Sequence, residues 1–433
     1  MSLGQKYSML NSPLTHYVGS FMDHISNITL YVTFFVALYF EVFMLINFFE
    51  KHGALRIEEA RVPKMFPSVT IIVPVFNEEK TVTKTIFSLL KLQYPKDKLN
   101  IIIVNDGSTD GTAEAIRRFR GHKRVKVIKK ENGGKYTALN CGIAQAKTEL
   151  IGCLDADSFV PPDTLTKIVP YFENEKTMAV TPAIKIWEPS RFISHVQSNE
   201  YNLGIFMKKC FSLIQAITVT PGPFSIFRKQ VFDNLGPFRK AHSTEDLEIA
   251  MRMQKNFYQI TNAHTAVVYT VGPTTLKKLY RQRVRWIHGF LANTIDYREI
   301  FFKRKYSHLG MFTLPMAIAS ILLFFVSTGM VLWNAFLAIQ KKITEIQSIG
   351  WNWHWRGFQF DWFFFNTDSK IFLAAVLFFA TIVLILYGRK ISEKKVGFSI
   401  HTLYFPFVYT FFTVFWLSKG VYNTVLAKET RWR

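Results

Sequence analysis

Apolar residues in this 433-residue chain form two kinds of run, long ones that could cross a bilayer and short ones typical of buried strands. The long runs are nearly uninterrupted and each can span a membrane, the third only barely. They lie at 28–49, 311–339, 371–387 and 399–426. Glu41 interrupts the first run, and an ionisable group there indicates either a functional site or pairing with a neighbouring helix.

Short β-branched runs predict four strands, at 68–76, 99–104, 125–128 and 149–155. Helical patterns separate them, starting near Asn77, Thr112 and Tyr136. Strands that alternate with helices predict right-handed crossovers and a mostly parallel sheet. Ligands of such sheets bind beyond the carboxyl ends of the strands, where Asn77, Asp106 and Asp157 are expected.

Two carboxylates end the fourth predicted strand, in Asp155-Ala-Asp157. Because successive side chains of a strand point to opposite faces, Asp155 and Asp157 are expected on one side and Ala156 on the other. Mg²⁺ takes one or two protein carboxylates and completes its shell with phosphate oxygens, so the pair indicates a metal site that bridges to a phosphate. The alternative is two solvated aspartates at a strand end.

Two longer helical patterns follow. Residues 191–219 predict an amphipathic helix, either interfacial or packed in the core, with Lys208 and Lys209 elsewhere on its surface.

Residues 274–297 predict a helix with one apolar stripe, formed by Leu276, Tyr280, Val284, Ile287, Leu291 and Ile295. Its opposite face carries Gln282, Arg285, Trp286 and Gly289. An amide, a guanidinium and an indole together suit a phosphate and a sugar ring. The alternative is a basic helix on lipid headgroups, anchored by Trp286.

Asp246 has two interpretations. Ser243-Thr-Glu-Asp246 fits a helix capping box, in which the Asp246 carboxylate would satisfy backbone donors. A catalytic base could occupy the same position, because a carboxylate next to Glu245 and near other anions holds its proton more readily.

Composition indicates the binding partners of the chain and its cellular compartment. The 53 Lys and Arg against 31 Asp and Glu give a net charge of +22. With the apolar runs, this charge indicates anionic lipid and anionic substrates, and the sequence has no nucleic-acid motif. The three cysteines lack framework spacing, so a reducing compartment fits.

The basic loop 388–397 is expected in the cytoplasm, and counting back through the spans places 50–306 on the same side. Counting forward places the C-terminus outside the cell. The basic tail 428–433 opposes that external position.

These patterns divide the chain into three predicted domains. They are 1–50 with one transmembrane helix, 51–306 as a cytoplasmic domain with amphipathic interfacial helices, and 307–433 with about three transmembrane helices. The tryptophan-rich segment 351–362 between two spans indicates a membrane-interface belt.

Six motifs resemble those of the membrane-embedded family-2 glycosyltransferases, which include the poly-N-acetylglucosamine, hyaluronan, chitin and cellulose synthases. In order they are Phe76-Asn-Glu78, Asp106-Gly-Ser-Thr-Asp-Gly111, Gly133-Gly-Lys135, Asp155-Ala-Asp157, Thr244-Glu-Asp246 and Gln282-Arg-Val-Arg-Trp286. The resemblance covers 68 to about 290. It implies an α/β fold, a Rossmann-like GT-A nucleotide-sugar domain with a mostly parallel sheet, flanked by transmembrane and interfacial helices.

The resemblance also implies roles for single residues. Asn77, Glu78 and Asp106 would hold the uridine of a UDP-sugar, with Lys135 near the nucleotide. Asp155 and Asp157 would hold the diphosphate through Mg²⁺ or Mn²⁺. Asp246 would be the general base, with Glu245 beside it among the substrate-binding residues. Gln282 and Arg285 would steady the leaving diphosphate, and Trp286 would stack under the acceptor sugar.

The implied function is inverting synthesis of a β-linked polysaccharide that is extruded through a multi-pass cell-membrane protein. N-acetylglucosamine is favoured as the sugar, because the pattern around Thr220-Pro-Gly and Thr244-Glu-Asp resembles the poly-N-acetylglucosamine branch. One alternative is transfer of a single sugar to a lipid acceptor, as in ceramide-type glucosyltransferases. A more distant alternative is a membrane transporter or sensor that only binds nucleotide. The sequence gives no oligomeric state.

Overall fold

The computed structural model describes residues 13–51, 63–350, 369–393 and 399–427. The tryptophan-rich segment, part of the basic loop and the basic tail lie outside the described residues, so the expectations for them stay predictions. The chain forms two compact units. The larger unit comprises Met44–Leu314 and Thr381–Arg433, and the smaller unit comprises Met1–Phe43 and Pro315–Ala380.

One sheet lies at the centre of the larger unit. Its strands are β1 (Val69–Val75), β2 (Leu99–Asp106), β3 (Val125–Lys130), β4 (Leu150–Cys153), β5 (Ser158–Phe159), β6 (Thr177–Ile186), β7 (Ser225–Arg228) and β8 (Gln259–Thr270). The eight strands have the order β3-β2-β1-β4-β7-β6-β8-β5. Strands β3, β2, β1 and β4 are parallel, β7 is antiparallel to β4 and β6, and β6 is parallel to β8. The prediction of a mostly parallel sheet is confirmed.

The helices lie on both faces of this sheet and in the apolar segments. The α-helices of the described residues are α1 (Pro13–Glu50), α2 (Val82–Leu90), α3 (Thr112–Arg117), α4 (Lys135–Gln145), α5 (Thr164–Ile168), α6 (Phe192–Leu213), α7 (Gln230–Leu235), α8 (Glu245–Lys255), α9 (Leu276–Asp296), α10 (Leu314–Ile349), α11 (Ser369–Glu393) and α12 (Ile400–Val425). Val73 of β1 packs in a core cluster with Val82 of α2, whereas Ile72 packs with Ala138 of α4. The apolar runs therefore form strands that are buried on both faces, as in a doubly wound fold.

The strand pattern does not predict β5 to β8. β8 carries Asn262 and His264 in the interior, 1% and 0% exposed, so apolar residues do not alternate along it. The buried amide is held across the sheet, because Asn262 Nδ2 donates to the carbonyl oxygen of Thr181 on β6, at 3.0 Å. Buried polar residues that bond to a neighbouring strand interrupt the apolar alternation, so hydrophobic period alone does not reveal such a strand.

The amphipathic helix predicted at 191–219 is α6, and it is packed in the core. Val196 and Phe206 are buried, and the helix contacts β6, β8 and α12. The placement of Lys209 on its surface is wrong. Lys209 is 1% exposed, and its Nζ donates to the carbonyl oxygen of Asn262. Lys208 lines the large cavity of the unit, and burial lowers its pKa to about 8.

The helix predicted at 274–297 is α9. Only part of its predicted apolar stripe is buried. Leu276 and Ile295 are 47% and 52% exposed, whereas Arg283, His288 and Asn293 are buried. These three polar groups have partners on other elements, which offsets the cost of removing them from water.

Within the described part of the chain, four helices are long and apolar enough to cross a membrane, at His24–Glu50, Leu309–Ser348, Ser369–Ser392 and Ile400–Val425. These helices overlap the four predicted spans, and the second and third are longer than the apolar runs that predicted them. Many of their large apolar side chains are exposed, among them Phe35, Leu322 and Phe407. Side-chain hydrogen bonds join helices within the smaller unit, for example Asn334 Nδ2 to Ser26 Oγ at 3.2 Å.

Candidate active site

A cavity of about 3020 Å³ opens in the larger unit at the carboxyl ends of β1, β2 and β4. It contains every residue to which the sequence assigned a site role. They are Asn77, Glu78, Asp106, Lys135, Asp155, Asp157, Glu245, Asp246, Gln282, Arg285 and Trp286. Groups far apart in the chain therefore meet in one space, at the edge where parallel sheets bind ligands.

The turns after β1 and β2 form one wall and are tied to each other. Asn77 has a left-handed backbone, with φ +55°. Its Oδ1 accepts a hydrogen bond from the backbone N–H of Thr109 at 2.9 Å. The backbone N–H of Glu78 donates to Thr112 Oγ1 at 2.8 Å. These bonds hold the two turns at a fixed separation beside the cavity.

Asp106 shapes the glycine loop before α4. It is 2% exposed, and its carboxylate accepts hydrogen bonds from the N–H groups of Gly133 and Gly134, at 3.1 and 2.9 Å. The ammonium group of Lys130 lies 2.5 Å from Asp106 Oδ1. Gly134 has φ +90°, a conformation that L side chains rarely adopt. Asp106 therefore orders the loop that presents Lys135.

Lys135 lies between two carboxylates from different parts of the chain. Its Nζ is 2.6 Å from Asp155 Oδ1 and 3.2 Å from Glu245 Oε1. Burial alone would lower the pKa of Lys135, but the negative charges of Asp155, Glu245 and Asp246 raise it above its usual range. Lys135 is therefore a permanent cation at the centre of an acidic site.

Asp155 and Asp157 lie in the turn after β4, which ends at Cys153. The expectation that strand alternation places them on one side is therefore wrong in its geometry, although both carboxylates line the cavity. Burial, Asp155 and Glu78 raise the pKa of Asp157 to about 7. This partly uncompensated negative charge fits a divalent cation.

The donor set fits a cation shared with a phosphate. Within the described ranges, no cluster of three or more His, Cys, Asp and Glu side chains is arranged to hold a metal ion alone. Two carboxylates in a cavity suit Mg²⁺ or Mn²⁺ that takes its remaining ligands from a diphosphate and water.

The backbone at Gly222 lies directly against Lys135 and Asp155, a contact that the sequence could not indicate. A Cβ atom at Gly222 would lie 2.5 Å from Lys135 Nζ and 2.7 Å from both carboxylate oxygens of Asp155. The rigid Pro221-Gly-Pro223 segment therefore forms part of the site wall, and only a residue without a side chain leaves the carboxylate free.

Asp246 lies in the first turn of α8, where Thr244 is the N-cap residue. The capping box that would start at Ser243 is therefore out of register. The Thr244 hydroxyl instead donates to the carbonyl oxygen of Ala241 at 3.1 Å. Burial and the neighbouring Glu245 raise the pKa of Asp246 to about 6, while Lys135 and Arg285 oppose that shift. A carboxylate with this pKa is ionised near neutrality and is still basic enough to accept a proton.

Helix α9 contributes Gln282, Arg285 and Trp286 to the cavity lining. Arg285 Nη1 donates to the carbonyl oxygen of Ser243 at 2.8 Å, two residues before Glu245. Trp286 is half-buried and lines the cavity, and the guanidinium of Arg283 lies 4.2 Å from its ring centre. Gln282 Oε1 accepts a hydrogen bond from Arg283 at 2.9 Å. The predicted face of Gln282, Arg285 and Trp286 is thus directed to the cavity, while the sequence reasoning missed Arg283.

Comparisons with known proteins give the family to which the chain belongs. Residues 70–236 match the family model of glycosyl transferase family 2. A poly-β-1,6-N-acetyl-D-glucosamine synthase of Staphylococcus epidermidis is 30% identical over 396 residues, which covers 89% of this chain and 91% of the relative. The synthase of the same name from Staphylococcus aureus strain COL is 32% identical over 249 residues, covering 57% of this chain and 60% of the relative.

A solved structure shares the fold. The mannosyltransferase PcManGT from Pyrobaculum calidifontis, in complex with GDP-Man and Mn²⁺, superposes with a TM-score of 0.64 and 17% identity. The comparison covers 94% of this chain and 100% of that chain. The resulting class is a GT-A glycosyltransferase with helices suited to a membrane. The chain belongs to family 2 of the glycosyltransferases, in the group with the poly-N-acetylglucosamine synthases, as the six motifs predicted.

Proposed function

We propose that this enzyme is an inverting, processive synthase that transfers N-acetylglucosamine from UDP-N-acetylglucosamine to a growing β-linked polysaccharide. The observation that carries the proposal is that Asp157, Asp246 and Trp286 line a single cavity. Similarity to the synthase of Staphylococcus epidermidis over 89% of this chain supports the choice of sugar and of a polymeric product.

The donor would bind at the carboxyl edge of the sheet. Asn77, Glu78 and Asp106 lie where the uridine is expected, and Lys135 is the nearby cation. Asp155 and Asp157 would hold Mg²⁺ or Mn²⁺, which when bound offsets the charge of the leaving diphosphate.

Asp246 would remove the proton from an acceptor hydroxyl. The oxygen then attacks the anomeric carbon from the side opposite the diphosphate, so an α-linked donor gives a β-linked product. Such a base typically contributes about 10²- to 10⁴-fold. Arg285 and Gln282 would donate hydrogen bonds to the diphosphate as its charge develops. Trp286 would offer its ring to the apolar face of the acceptor sugar.

The polymer would leave along the membrane helices. Helix α12 packs against α9, and a Cβ atom at Gly420 of α12 would lie 2.5 Å from Cγ2 of Ile287, next to Trp286.

We place residues 51–306 in the cytoplasm, where the donor is available, and anionic lipid around the basic surface. An accessible cysteine introduced at Lys123, in an exposed loop, tests this placement by labelling intact and opened cells with a reagent that cannot cross membranes.

Purified enzyme in nanodiscs, labelled UDP-N-acetylglucosamine and Mn²⁺ provide the main test. A ladder of long products and full inhibition by a chelator are expected. Asp246→Asn should reduce turnover by about 10²- to 10⁴-fold. Asp233→Asn, at an exposed carboxylate of α7 outside the cavity, is the matched control. A single glycolipid as the product contradicts polymer synthesis, and full turnover of Asp246→Asn contradicts the assignment of the base.

A further inference from the structure

Arg283 is the buried member of the Gln282-Arg-Val-Arg-Trp286 motif. Its side chain is 3% exposed, whereas Gln282, Arg285 and Trp286 line the cavity. Two of those neighbours contact it directly. The guanidinium lies 4.2 Å from the ring centre of Trp286, and Arg283 Nη1 donates to Gln282 Oε1 at 2.9 Å. One side chain therefore contacts two of the three motif residues that line the cavity.

Arg283 is itself held from two other helices. Its Nη2 donates to Oε2 of Glu200 on α6 in a close ion pair. The other oxygen of Glu200 accepts a hydrogen bond from the hydroxyl of Tyr409 on α12, at 2.9 Å. We call Arg283, Glu200 and Tyr409 the acceptor-side network.

A second set of contacts joins α9 to α12 at the two residues that follow Trp286 in the sequence. Ile287 packs on Gly420, where no side chain fits between the helices. His288 Nδ1 and Thr424 Oγ1 form a hydrogen bond of 3.0 Å. The segment that carries Trp286 is thus joined to α12 both before and after the indole.

We infer that Arg283 is a positioning residue for the acceptor, with Glu200 and Tyr409 setting its orientation. The guanidinium fixes the ring plane of Trp286, and the ion pair fixes the guanidinium. This inference rests on the proposed function, because it assigns the acceptor to Trp286. The guanidinium lies 4.2 Å from the ring centre of Trp286, the group that the proposed function assigns to the acceptor, so loss of the network should affect the acceptor more than the donor.

Conservative variants can separate this role from simple stabilisation. Arg283→Lys keeps the charge but loses the planar group that stacks on the indole and pairs with Glu200 in a fixed geometry. Tyr409→Phe removes one hydroxyl and loosens Glu200 without removing a charge. Because breaking a buried ion pair destabilises a fold strongly, Tyr409→Phe is the safer probe.

The experiment measures the KM of the donor and of the acceptor separately. The probes are UDP-N-acetylglucosamine and a short β-1,6-linked N-acetylglucosamine oligosaccharide, with full-length enzyme in nanodiscs. We expect Tyr409→Phe to raise the acceptor KM by about threefold and Arg283→Lys by about tenfold, with shorter products and a donor KM within about twofold of wild type. The controls are Arg298→Lys, an exposed arginine, and Tyr404→Phe, whose hydroxyl bonds His401 instead.

Each result has a defined meaning. A raised donor KM with an unchanged acceptor KM in Tyr409→Phe overturns the inference. So does an equal loss for both substrates that follows a lowered Tm, which indicates a structural role only. If wild-type enzyme adds one sugar to a lipid, the polymer proposal fails, and the same comparison with that lipid as acceptor still tests the network.

Discussion

Gly289 of α9 lies directly against Thr244, the N-cap residue of α8. A Cβ atom at Gly289 would lie 2.3 Å from Thr244 Oγ1, closer than real Cβ atoms approach a neighbour. Asn293 Nδ2, one turn further along α9, donates to the same Thr244 hydroxyl at 3.0 Å. The helix that carries Trp286 therefore also sets the position of the turn that carries Asp246.

Gly289→Ala should lower kcat because the added methyl group displaces Thr244 and, with it, the first turn of α8. Shifts of about 1 Å at a catalytic group cost about a hundredfold. Turnover at saturating donor and acceptor measures the effect. Gly329→Ala, in a helix with open space around the glycine, is the matched control and should retain activity. Equal activity of the two variants would show that the contact does not position the base.

The pH profile should report the raised pKa of Asp246. Burial and Glu245 raise that pKa to about 6, and the proposed general base accepts a proton only as the ionised carboxylate. We expect kcat/KM for the acceptor to fall about tenfold per pH unit below pH about 6 and to be level above it. A profile that stays level down to the ordinary range of an aspartate, about pH 4, would contradict this environment.

Asp246→Asn should stabilise the empty enzyme at neutral pH although it reduces turnover. Because the folded protein binds this proton more tightly than an unfolded chain does, the ionised carboxylate destabilises the fold above pH about 6. That cost is relieved as the pH falls through this value, and an amide avoids it at every pH. Thermal unfolding without ligand should give a higher Tm for the variant at pH about 7.5 and a smaller difference below pH about 5. A lower Tm at neutral pH would refute this account.

Lys135→Gln should move the acidic limb of the pH profile upward. Lys135 lowers the pKa values of Asp246 and Asp157, and its removal leaves the carboxylates to repel one another. The expected result is a higher apparent pKa in kcat/KM and a raised KM for the donor. Lys167→Gln, which breaks only an exposed pair with Asp163, should change neither value.

Gly222→Ala should weaken donor binding without affecting the fold. Its new methyl group would occupy the space beside the Asp155 carboxylate and Lys135 Nζ. We expect the donor KM to rise by about tenfold or more, with a similar loss in Mn²⁺ activation. Gly121→Ala, at a glycine with open space around it, is the control. An unchanged donor KM and unchanged Mn²⁺ activation would show that the loop shifts to make room for the methyl group.

Much of the site could be predicted because motifs at strand ends and on one helix face depend on local periodicity. Periodicity placed Asp106, Asp157 and Trp286 at strand ends and on that helix face, the family resemblance supplied their roles, and all three line the cavity. The geometry of Asp155 and Asp157 was wrong, since a strand and the turn after it look alike in sequence. Lys209 was misplaced because its partner, the carbonyl oxygen of Asn262, belongs to a strand that the pattern does not reveal. Gly222 and Arg283 matter through contacts with distant segments, which no local period encodes.

The ion pair of Lys135 with Asp155 means that the resting pocket already carries its own counter-charge. If Asp155 holds a divalent ion as proposed, an ion bound without nucleotide would compete with an ammonium group 2.6 Å from the same oxygen. A bound diphosphate would offer that ammonium group a new anion and so release the carboxylate. Cation and nucleotide should therefore load cooperatively, each tightening the other, and the unloaded enzyme should retain little metal.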